Sequence, residues 1–279
     1  MATLLRRIYQ SYRYLNEEMA DPRTQDFWLI GSPMLFASII AFYLYFVYKL
    51  GPSIMATRKP FNLDKIMQLY NMLQIILCSF VFYKALTLTW LLDYNIYCQP
   101  VDFSYSPRAL EIARMVWVYF MLKVFDFLET IFFVLRKKQQ QVSFLHVYHH
   151  TGMTFGTWIA VKFLPGGHIV FLGTVNTFVH VVMYSYYLVT SLRMSRPWWK
   201  KYITQLQLTQ FCVILVHFVM LMLSEDCGFP KWVAAAMIPQ NFFMIMLFGD
   251  FYYKAYIKKP KSNKNGVSTE VANGKAKSQ

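Results

Sequence analysis

Long apolar stretches separated by short polar connections dominate the pattern along this chain. A helix needs about 20 predominantly apolar residues to cross the hydrocarbon core of a bilayer, and seven stretches approach that length. The sequence therefore predicts an all-α integral membrane protein with seven transmembrane helices, which cover residues 28–48, 66–92, 116–135, 144–164, 168–188, 202–223 and 232–253.

Both ends of the chain depart from this apolar pattern. Residues 258–279 are polar and rich in lysine, which is typical of a disordered tail. No break in composition divides residues 28–257, so we expect one membrane domain there. Residues 1–27 fit either a frayed polar arm or an amphipathic helix that lies at the membrane interface. The apolar residues near helical spacing in this arm are Leu4, Leu5, Ile8, Tyr12 and Leu15.

The connections between the helices differ in their lysine and arginine content, which bears on orientation in the membrane. The positive-inside rule places the more basic connections and the C-terminus in the cytosol, and the N-terminus in the lumen. Arginines in the N-terminal arm oppose this orientation, which therefore rests on the later loops. The same rule accounts for much of the net charge of +14. Nucleic acid is thus not an expected partner, whereas anionic membrane lipid is.

The last five residues, KAKSQ, place Lys277 and Lys275 at the third and fifth positions from the C-terminus. That pattern resembles a dilysine retrieval signal. A short pattern in a lysine-rich tail arises readily by chance. It therefore indicates a retrieval signal only if the C-terminus is cytosolic. In that topology it predicts residence in the membrane of the endoplasmic reticulum.

Four cysteines are present, and two of them fall in predicted loops on the luminal side. Cys78 and Cys212 lie within predicted helices, where a cysteine is usually an inert apolar residue. Cys98 and Cys227 are each the only cysteine in their loop, and an oxidising lumen permits a disulfide between them. The alternative is two free thiols, but we predict the Cys98–Cys227 bridge.

Four of the predicted helices carry a stripe of polar side chains on one face. Lipid cannot solvate such groups, so we expect the stripes to face one another around an interior cavity. The stripes are Lys123, Asp126, Glu129 and Thr130; then His146, His149 and His150; then Asn176, His180, Tyr184 and Tyr187; and finally Thr204, Gln207 and Gln210.

Some of these stripes also fit a purely structural role. Gln207 and Gln210 could form hydrogen bonds between helices, and Lys123 with Asp126 could be a structural ion pair. Tyr184 and Tyr187 could be interfacial aromatic residues. Two further histidines, His168 and His217, are predicted to be structural. Seven helices with a luminal N-terminus also fit a receptor, but the DRY and NPxxY patterns of receptors are absent.

The histidine triplet, at positions i, i+3 and i+4 of one helix face, favours chemistry over packing. Neutral imidazole is a competent nucleophile and general base near pH 7. HxxHH also occurs in membrane di-iron desaturases and hydroxylases, where iron takes imidazole ligands. Those enzymes carry more ligand histidines than the six of this chain. A single metal bound by the triplet and His180 lacks an obvious carboxylate partner in the box, so a metal-dependent membrane lipid oxidase or desaturase is the alternative.

Taken in order, KVFDFLET, HVYHH, HVVMYSYY and TQLQLTQ resemble the motifs of one family. It is the very-long-chain fatty acid elongase family, the 3-oxoacyl-CoA synthases of the endoplasmic reticulum, which show KxxExxDT, HxxHH, HxxMYxYY and TxxQxxQ. One departure is an exchange of acids, with Asp126 where the family usually has Glu and Glu129 where it has Asp. The residue Gln141 with HVYHH resembles the animal branch that acts on very-long-chain and polyunsaturated acids.

The resemblance implies a reaction, a fold and partners. Long-chain acyl-CoA and malonyl-CoA, the two substrates, would give 3-oxoacyl-CoA, carbon dioxide and CoA without a metal or a redox cofactor. Helices two to seven would enclose a narrow acyl tunnel, with helix one outside. A homodimer and contacts with other enzymes of the elongation cycle are further expectations. Chain length and unsaturation preference stay open at this stage.

The resemblance also implies roles for residues. It points to His149 as the nucleophile that forms an acyl-imidazole, with His180 facing the same carbon. His146 and His150 could set its tautomer and move its proton, and Asn176, His180 or Gln207 could stabilise the enolate. The remaining stripe residues are expected to bind substrate. Basic residues expected at the cytosolic mouth for the CoA phosphates are Arg58, Lys59, Arg136, Lys137, Lys138, Lys200 and Lys201.

Overall fold

The structure, a computed structural model, describes residues 2–192 and 198–258. Over these ranges all regular structure is helical and no strand is present. The suggested retrieval signal at Lys275 and Lys277 lies outside them, as does the tail beyond Lys258. The helices are α1 (Ala2–Arg13), α2 (Pro33–Tyr45), α3 (Gly51–Met55), α4 (Asp64–Ala85), α5 (Pro107–Phe125), α6 (Phe127–Leu135), α7 (Phe144–Phe163), α8 (Val170–Ser191), α9 (Lys200–Leu223) and α10 (Lys231–Tyr252).

Several helices are long and apolar enough to cross a membrane, so the protein is a multi-pass membrane protein. Five segments of the described chain meet that criterion by length and composition. They correspond to the first, second, fifth, sixth and seventh predicted spans. The third and fourth predicted spans are also helical, but α5 carries charged residues and α7 carries the histidine triplet, which dilute their apolar character. The five segments are Pro33–Met55, Asp64–Trp90, Gly167–Ser191, Lys200–Leu223 and Lys231–Ile257.

Two helix starts differ from the boundaries that hydropathy alone predicted. The first span begins at Pro33 rather than at residue 28, because Ser32 caps the helix by accepting a hydrogen bond from the Leu35 N–H at 3.3 Å. The third begins at Pro107 rather than at residue 116, because Ser106 accepts from the Ala109 N–H at 3.2 Å. In both cases proline occupies the first helical position, which suits its fixed backbone angle.

Six helices pack side by side in the bundle. Helix α4 packs against α5 and α8, α5 packs against α7, and α9 packs against α8 and α10. Helices α7 and α10 approach at fewer residues, among them Tyr148, whose hydroxyl donates to Gln240 Oε1 at 2.6 Å. Helix α2 lies outside this set and packs on it through aromatic rings. Tyr43 stacks on Phe127 of α6 at 4.0 Å between centroids, and Phe36 stacks on Trp158 of α7 at 4.9 Å.

One end of the bundle, named here the disulfide end, is tied together by covalent and polar contacts. Cys98 and Cys227, the predicted pair, form a disulfide between the connection before α5 and the connection before α10. The segment before α2 docks on the same end, where the buried Lys162 ammonium donates to the Ile30 carbonyl at 3.1 Å. Beyond this segment α1 is helical and exposes Leu4, Leu5, Tyr9 and Tyr12.

Candidate active site

The polar stripes meet at the opposite end of the bundle, named here the histidine end. Antiparallel packing brings together the end of α5, the start of α7, the second half of α8 and the first half of α9. The helical path breaks at Asp126, between α5 and α6, and the first polar stripe spans this break. The interruption turns Lys123 and the two acids toward the histidines of α7 and α8.

Asp126 is the centre of the most connected part of the site. It is buried, and its Oδ2 accepts from the Lys123 ammonium at 3.0 Å. Its Oδ1 accepts from Gln74 Nε2 at 2.6 Å and from the Tyr184 hydroxyl at 3.0 Å. A buried carboxylate with a cation and two further donors is well satisfied. Lys123 and Asp126 therefore form an ion pair inside the bundle that holds α4, α5 and α8 in register.

Glu129, the second of the exchanged acids, reaches a different partner. Its Oε2 lies 3.6 Å from His150 Nε2. Its Oε1 is buried without a hydrogen-bond partner among the described residues. Position 129 on α6 thus brings this carboxylate to the histidine box, whereas Asp126 at the break lies beside Lys123. The next residue, Thr130, contacts His146 Nε2 at 2.9 Å and the Tyr43 hydroxyl at 2.8 Å.

Helix α7 presents its three histidines in different states of pairing. His146 is held by Thr130, and its ring lies 4.3 Å from that of His150 between centroids. His150 faces Glu129. The ring of His149 has edge-to-face contacts with His150, Phe211 and Phe248. Neither of its nitrogens has a hydrogen-bond partner within the part of the chain that the structure describes.

On α8, His180 and Asn176 each contact polar side chains of neighbouring helices. His180 Nδ1 lies 3.5 Å from the Lys123 ammonium. Asn176 Oδ1 accepts from the Tyr119 hydroxyl at 2.7 Å, and Asn176 Nδ2 donates to Gln210 Oε1 at 3.4 Å. The structure therefore brings His180, Asn176 and Gln210 to the same buried region as Lys123.

The other predicted residues of α8 and α9 lie around this region. Tyr184 is fully buried, and the Tyr187 ring packs against it at 6.1 Å between centroids. Thr204 is buried, while the Gln207 amide lies 3.5 Å from the Met183 sulfur. A weak donor contact of that kind leaves Gln207 able to reorient toward another acceptor.

The predicted site lacked the contribution of α4. Gln74 donates to Tyr70 Oη at 2.8 Å as well as to Asp126, and both residues are buried. The signal was available in the sequence, since Tyr70 and Gln74 are four residues apart within an apolar stretch. These residues carry no charge and stand in a 27-residue apolar segment, so the sequence did not single them out.

The basic residues expected at the mouth of the site do not all lie together. Arg136 borders a polar cavity and pairs with Asp64 at 3.3 Å. Lys137 donates to the Ala56 carbonyl at 3.4 Å, and Lys201 lies 5.9 Å from the centre of the Tyr252 ring. The residues that are exposed at the histidine end, outside that cavity, are Arg58, Lys59, Lys137, Lys138, Lys200 and Lys201.

Two cavities are bordered by residues of the helices that carry the polar stripes. The polar cavity, of about 440 Å³, is bordered by Glu129, Arg136, Gln141 and Tyr187 among others. The apolar cavity, of about 420 Å³, extends from Tyr148 on α7 toward the disulfide end and is lined by residues of α4, α5, α7, α8 and α10. On α7, Tyr148 and Gly152, which line the apolar cavity, stand on either side of His149 in the sequence.

One group of side chains could hold a metal ion. Ligand atoms of Glu129, His146 and His150 lie within 4.8 Å of one another. Two histidines and one carboxylate form a ligand set that suits non-haem iron. The sequence gave the histidine box no obvious carboxylate partner, and the structure supplies one from α6.

Comparison with known proteins gives a consistent set of matches. The family described as "ELO: GNS1/SUR4 family" matches residues 28–264. The chain is 41% identical to "Very long chain fatty acid elongase 7" of Drosophila melanogaster over 96% of this chain and 82% of that protein. It is 40% identical to "Very long chain fatty acid elongase 4" of Homo sapiens over 100% and 90% of the two chains. It is also 40% identical to "Very long chain fatty acid elongase 1" of Mus musculus over 86% and 87%.

Proposed function

The chain belongs to the ELO family, GNS1/SUR4, and on that premise we propose that it is a fatty acid elongase that works as a 3-oxoacyl-CoA synthase. In this proposal long-chain acyl-CoA condenses with malonyl-CoA to give 3-oxoacyl-CoA, carbon dioxide and CoA. The animal relatives are named very long chain fatty acid elongases, which supports fatty acid elongation as the process. The condensation itself is inferred from the motifs and from the site.

The observation that supports this mechanism is the difference in polar partners among the four histidines. His146, His150 and His180 each have a polar partner, whereas His149 is held only by ring contacts. A nucleophile must have a free lone pair and a neighbour that accepts its proton. His149 meets the first requirement, and His150, whose ring centre is 5.7 Å away, can meet the second.

The first half-reaction transfers the acyl group to His149. One ring nitrogen forms a bond to the acyl carbonyl carbon, the carbon–sulfur bond breaks, and its electron pair leaves with the CoA sulfur. The other ring nitrogen loses its proton, and the sulfur gains one, so the step is balanced in protons. His146 and His150 are placed to pass that proton, with Glu129 behind His150. Acyl-imidazole keeps a high reactivity for the next step.

The second half-reaction makes the carbon–carbon bond. Loss of carbon dioxide from malonyl-CoA leaves an enolate without the need for a strong base. The enolate attacks the acyl carbon, the bond to His149 breaks, and the ring takes up one proton. His180, Asn176 and Gln207 are the donors available for the developing negative charge. Lys123, Asp126 and Tyr184 hold this wall of the site in place, and no metal or redox cofactor takes part.

The two cavities fit the two parts of an acyl-CoA molecule. The acyl chain would lie in the apolar cavity beyond His149, and the thioester end of CoA would enter through the polar cavity. In the proposed fold the chain crosses the membrane seven times. Helices α4 to α10 enclose the acyl tunnel, and α2 lies outside it. Exposed basic residues at the histidine end would contact the CoA phosphates, with Arg136 nearest to the site.

The location follows from the same proposal. A cytosolic histidine end gives CoA substrates direct access from the cytosol, and it places the disulfide end in the oxidising lumen of the endoplasmic reticulum. The N-terminus is then luminal and the C-terminus cytosolic. Self-association and contacts with enzymes that reduce and dehydrate the product belong to the same proposal.

Trapping the intermediate tests the mechanism. Purified protein is incubated with acyl-CoA alone, digested, and examined by peptide mass spectrometry. We expect an acyl mass on His149, release of CoA before malonyl-CoA is added, and loss of both in His149→Ala. His217→Ala, at the disulfide end, is the control and should keep the adduct. CoA release that requires malonyl-CoA, with no adduct, would favour direct condensation with histidine as a general base.

The candidate metal ligands keep a second function open. Glu129, His146 and His150 could bind iron in a lipid oxidase or desaturase. Chelation separates the two. An elongase of the proposed kind should retain its activity after treatment with strong chelators, and elemental analysis should find no stoichiometric iron or zinc. Activity that is lost on chelation and restored by one metal would support the oxidase.

A further inference from the structure

Helix α7 carries two glycines on the face that leads away from His149 along the apolar cavity. Gly152 and Gly156 follow His149 by three and seven residues, so the three residues share one helix face. Both glycines line the cavity. A Cβ atom placed on either one would meet nothing within 4 Å, so the backbone there borders open space.

The surface of this cavity suits a hydrocarbon chain. The polar side chains that α7 contributes to it are paired, since Tyr148 donates to Gln240 at 2.6 Å and the Thr157 hydroxyl donates to the Met153 carbonyl at 2.8 Å. Elsewhere in the cavity the wall is closer. A Cβ on Gly173 of α8 would contact the Tyr119 ring at 3.6 Å. Among the three glycines that line the cavity, Gly152 and Gly156 are therefore the ones beside open space.

The position of this widening can be expressed along an acyl chain attached to His149. At a helical rise of about 1.5 Å per residue, Gly152 and Gly156 lie roughly 4.5 and 10.5 Å along the axis from His149. An extended chain with carbon–carbon bonds of about 1.5 Å advances roughly 1.3 Å per carbon. The open stretch thus lies beside about the third to the eighth carbon from the reacting carbonyl. A straight saturated chain needs only a narrow tube, whereas a cis double bond displaces the chain sideways.

We propose that Gly152 and Gly156 are specificity-determining residues that admit acyl chains bent by cis double bonds within about the first eight carbons. The inference rests on the proposed function and names its substrate class as polyunsaturated acyl-CoA with double bonds near the thioester. Side chains at these two positions would occupy the space that the bend requires and leave the straight path open. The glycines select by shape, and they act on the chain itself rather than on the histidines.

Competition between two acyl-CoAs of equal length tests this inference. One is saturated and the other carries cis double bonds near the thioester. In Gly156→Leu we expect kcat/KM for the bent chain to fall by at least about tenfold, the scale of discrimination that a hydrophobic pocket achieves, while the straight chain changes less than threefold. Gly152→Ala should show a smaller shift in the same direction. Gly249→Leu is the matched control, because its Cβ also meets nothing within 4 Å but Gly249 does not line the cavity.

The outcomes separate the inference from the function on which it rests. Equal losses for both chains, or no loss for either, would overturn the role of the glycines while wild-type elongation persists. A wild-type protein that elongates neither acyl-CoA would overturn the proposed function and the inference with it. If Gly156→Leu fails to fold, Gly156→Ala and Gly152→Ala decide, because a single methyl group adds volume with no neighbour in contact.

Discussion

Two acids three residues apart, on either side of the break between α5 and α6, have different partners. Asp126 has a cation and two further donors, whereas Glu129 has the imidazole of His150 and one buried oxygen without a partner among the described residues. The first environment holds a carboxylate by three donors, whereas the second offers one imidazole at 3.6 Å. With the two acids exchanged relative to the usual family order, one carboxylate is thus part of an ion pair and the other contacts the histidine box.

This division predicts different costs for neutralising each acid. Asp126→Asn removes the counter-charge of a buried ammonium, and breaking a buried ion pair in this way costs about 3–5 kcal/mol. Thermal unfolding in detergent should therefore occur at a clearly lower temperature in Asp126→Asn. Glu129→Gln, the matched change one turn away, should unfold close to the wild type. Equal losses of stability in the two variants would contradict the division.

At the scale of helices, apolar length and polar stripes predicted much of what the structure contains. The stripes on α5, α7, α8 and α9 do converge, because antiparallel neighbours bring opposite ends of successive helices together. The contribution of α4 was missed, since Gln74 gains its meaning only from Asp126, a residue distant in sequence. The start of α5 was also missed, because charged residues in its first turns hide it from hydropathy and only the Ser106 cap marks it.

The two histidines read as structural from the sequence lie together at the disulfide end. His168 and His217 are buried and stack with ring centres 3.7 Å apart. His168 Nε2 contacts the His217 carbonyl at 3.3 Å, and His217 Nε2 contacts the His168 carbonyl at 3.2 Å. If each Nε2 carries its proton, each ring donates to the backbone of the other residue. The pair thus joins the start of α8 to the second half of α9.

This reciprocal contact predicts non-additive effects of mutation. His168→Phe and His217→Phe keep an aromatic ring but each removes a donor and leaves a carbonyl without its partner. Residues in direct contact typically couple by about 0.5–3 kcal/mol. We expect each single variant to lower the unfolding temperature. The decrease in the double variant should be smaller than the sum of the two single decreases. Elongation per folded molecule should persist, since the pair lies away from His149. Additive losses would show that the two rings act independently.

At the scale of the whole molecule the two ends differ in chemistry. The histidine end collects buried polar groups and exposed basic residues, while the disulfide end is closed by Cys98–Cys227 and by the docked segment before α2. Arg23 pairs with Asp21 of the same segment at 2.6 Å and ties the segment down by donating to the Asp102 carbonyl at 2.8 Å. Such an arrangement suits an active site that opens to one compartment only.

The orientation of these ends is open to a direct test. Glycosylation occurs in the lumen, so an acceptor sequence added at the N-terminus should be modified and one added at the C-terminus should not. The positive-inside rule and an odd number of spans lead to this expectation. The matched control is the same acceptor placed in the connection between Lys137 and Gln141, which should also stay unmodified. Modification at the C-terminus alone would show that the protein has the opposite orientation in the membrane.

The disulfide lies at the opposite end of the bundle from the histidines, so we expect it to affect stability rather than turnover. Cys98 and Cys227 are 129 residues apart, so the bond fixes two distant connections relative to each other. A crosslink of this kind stabilises mainly by restricting the unfolded chain. Cys98→Ser should therefore lower the unfolding temperature, while kcat on acyl-CoA stays within about twofold because the histidine end keeps its contacts. Cys212→Ser, at an exposed free cysteine, is the control and should change neither quantity. Peptide mapping without reductant should recover the crosslinked pair from native membranes. If Cys98→Ser abolishes turnover without loss of stability, the two ends are coupled, and the disulfide end would have to be counted as part of the catalytic machinery.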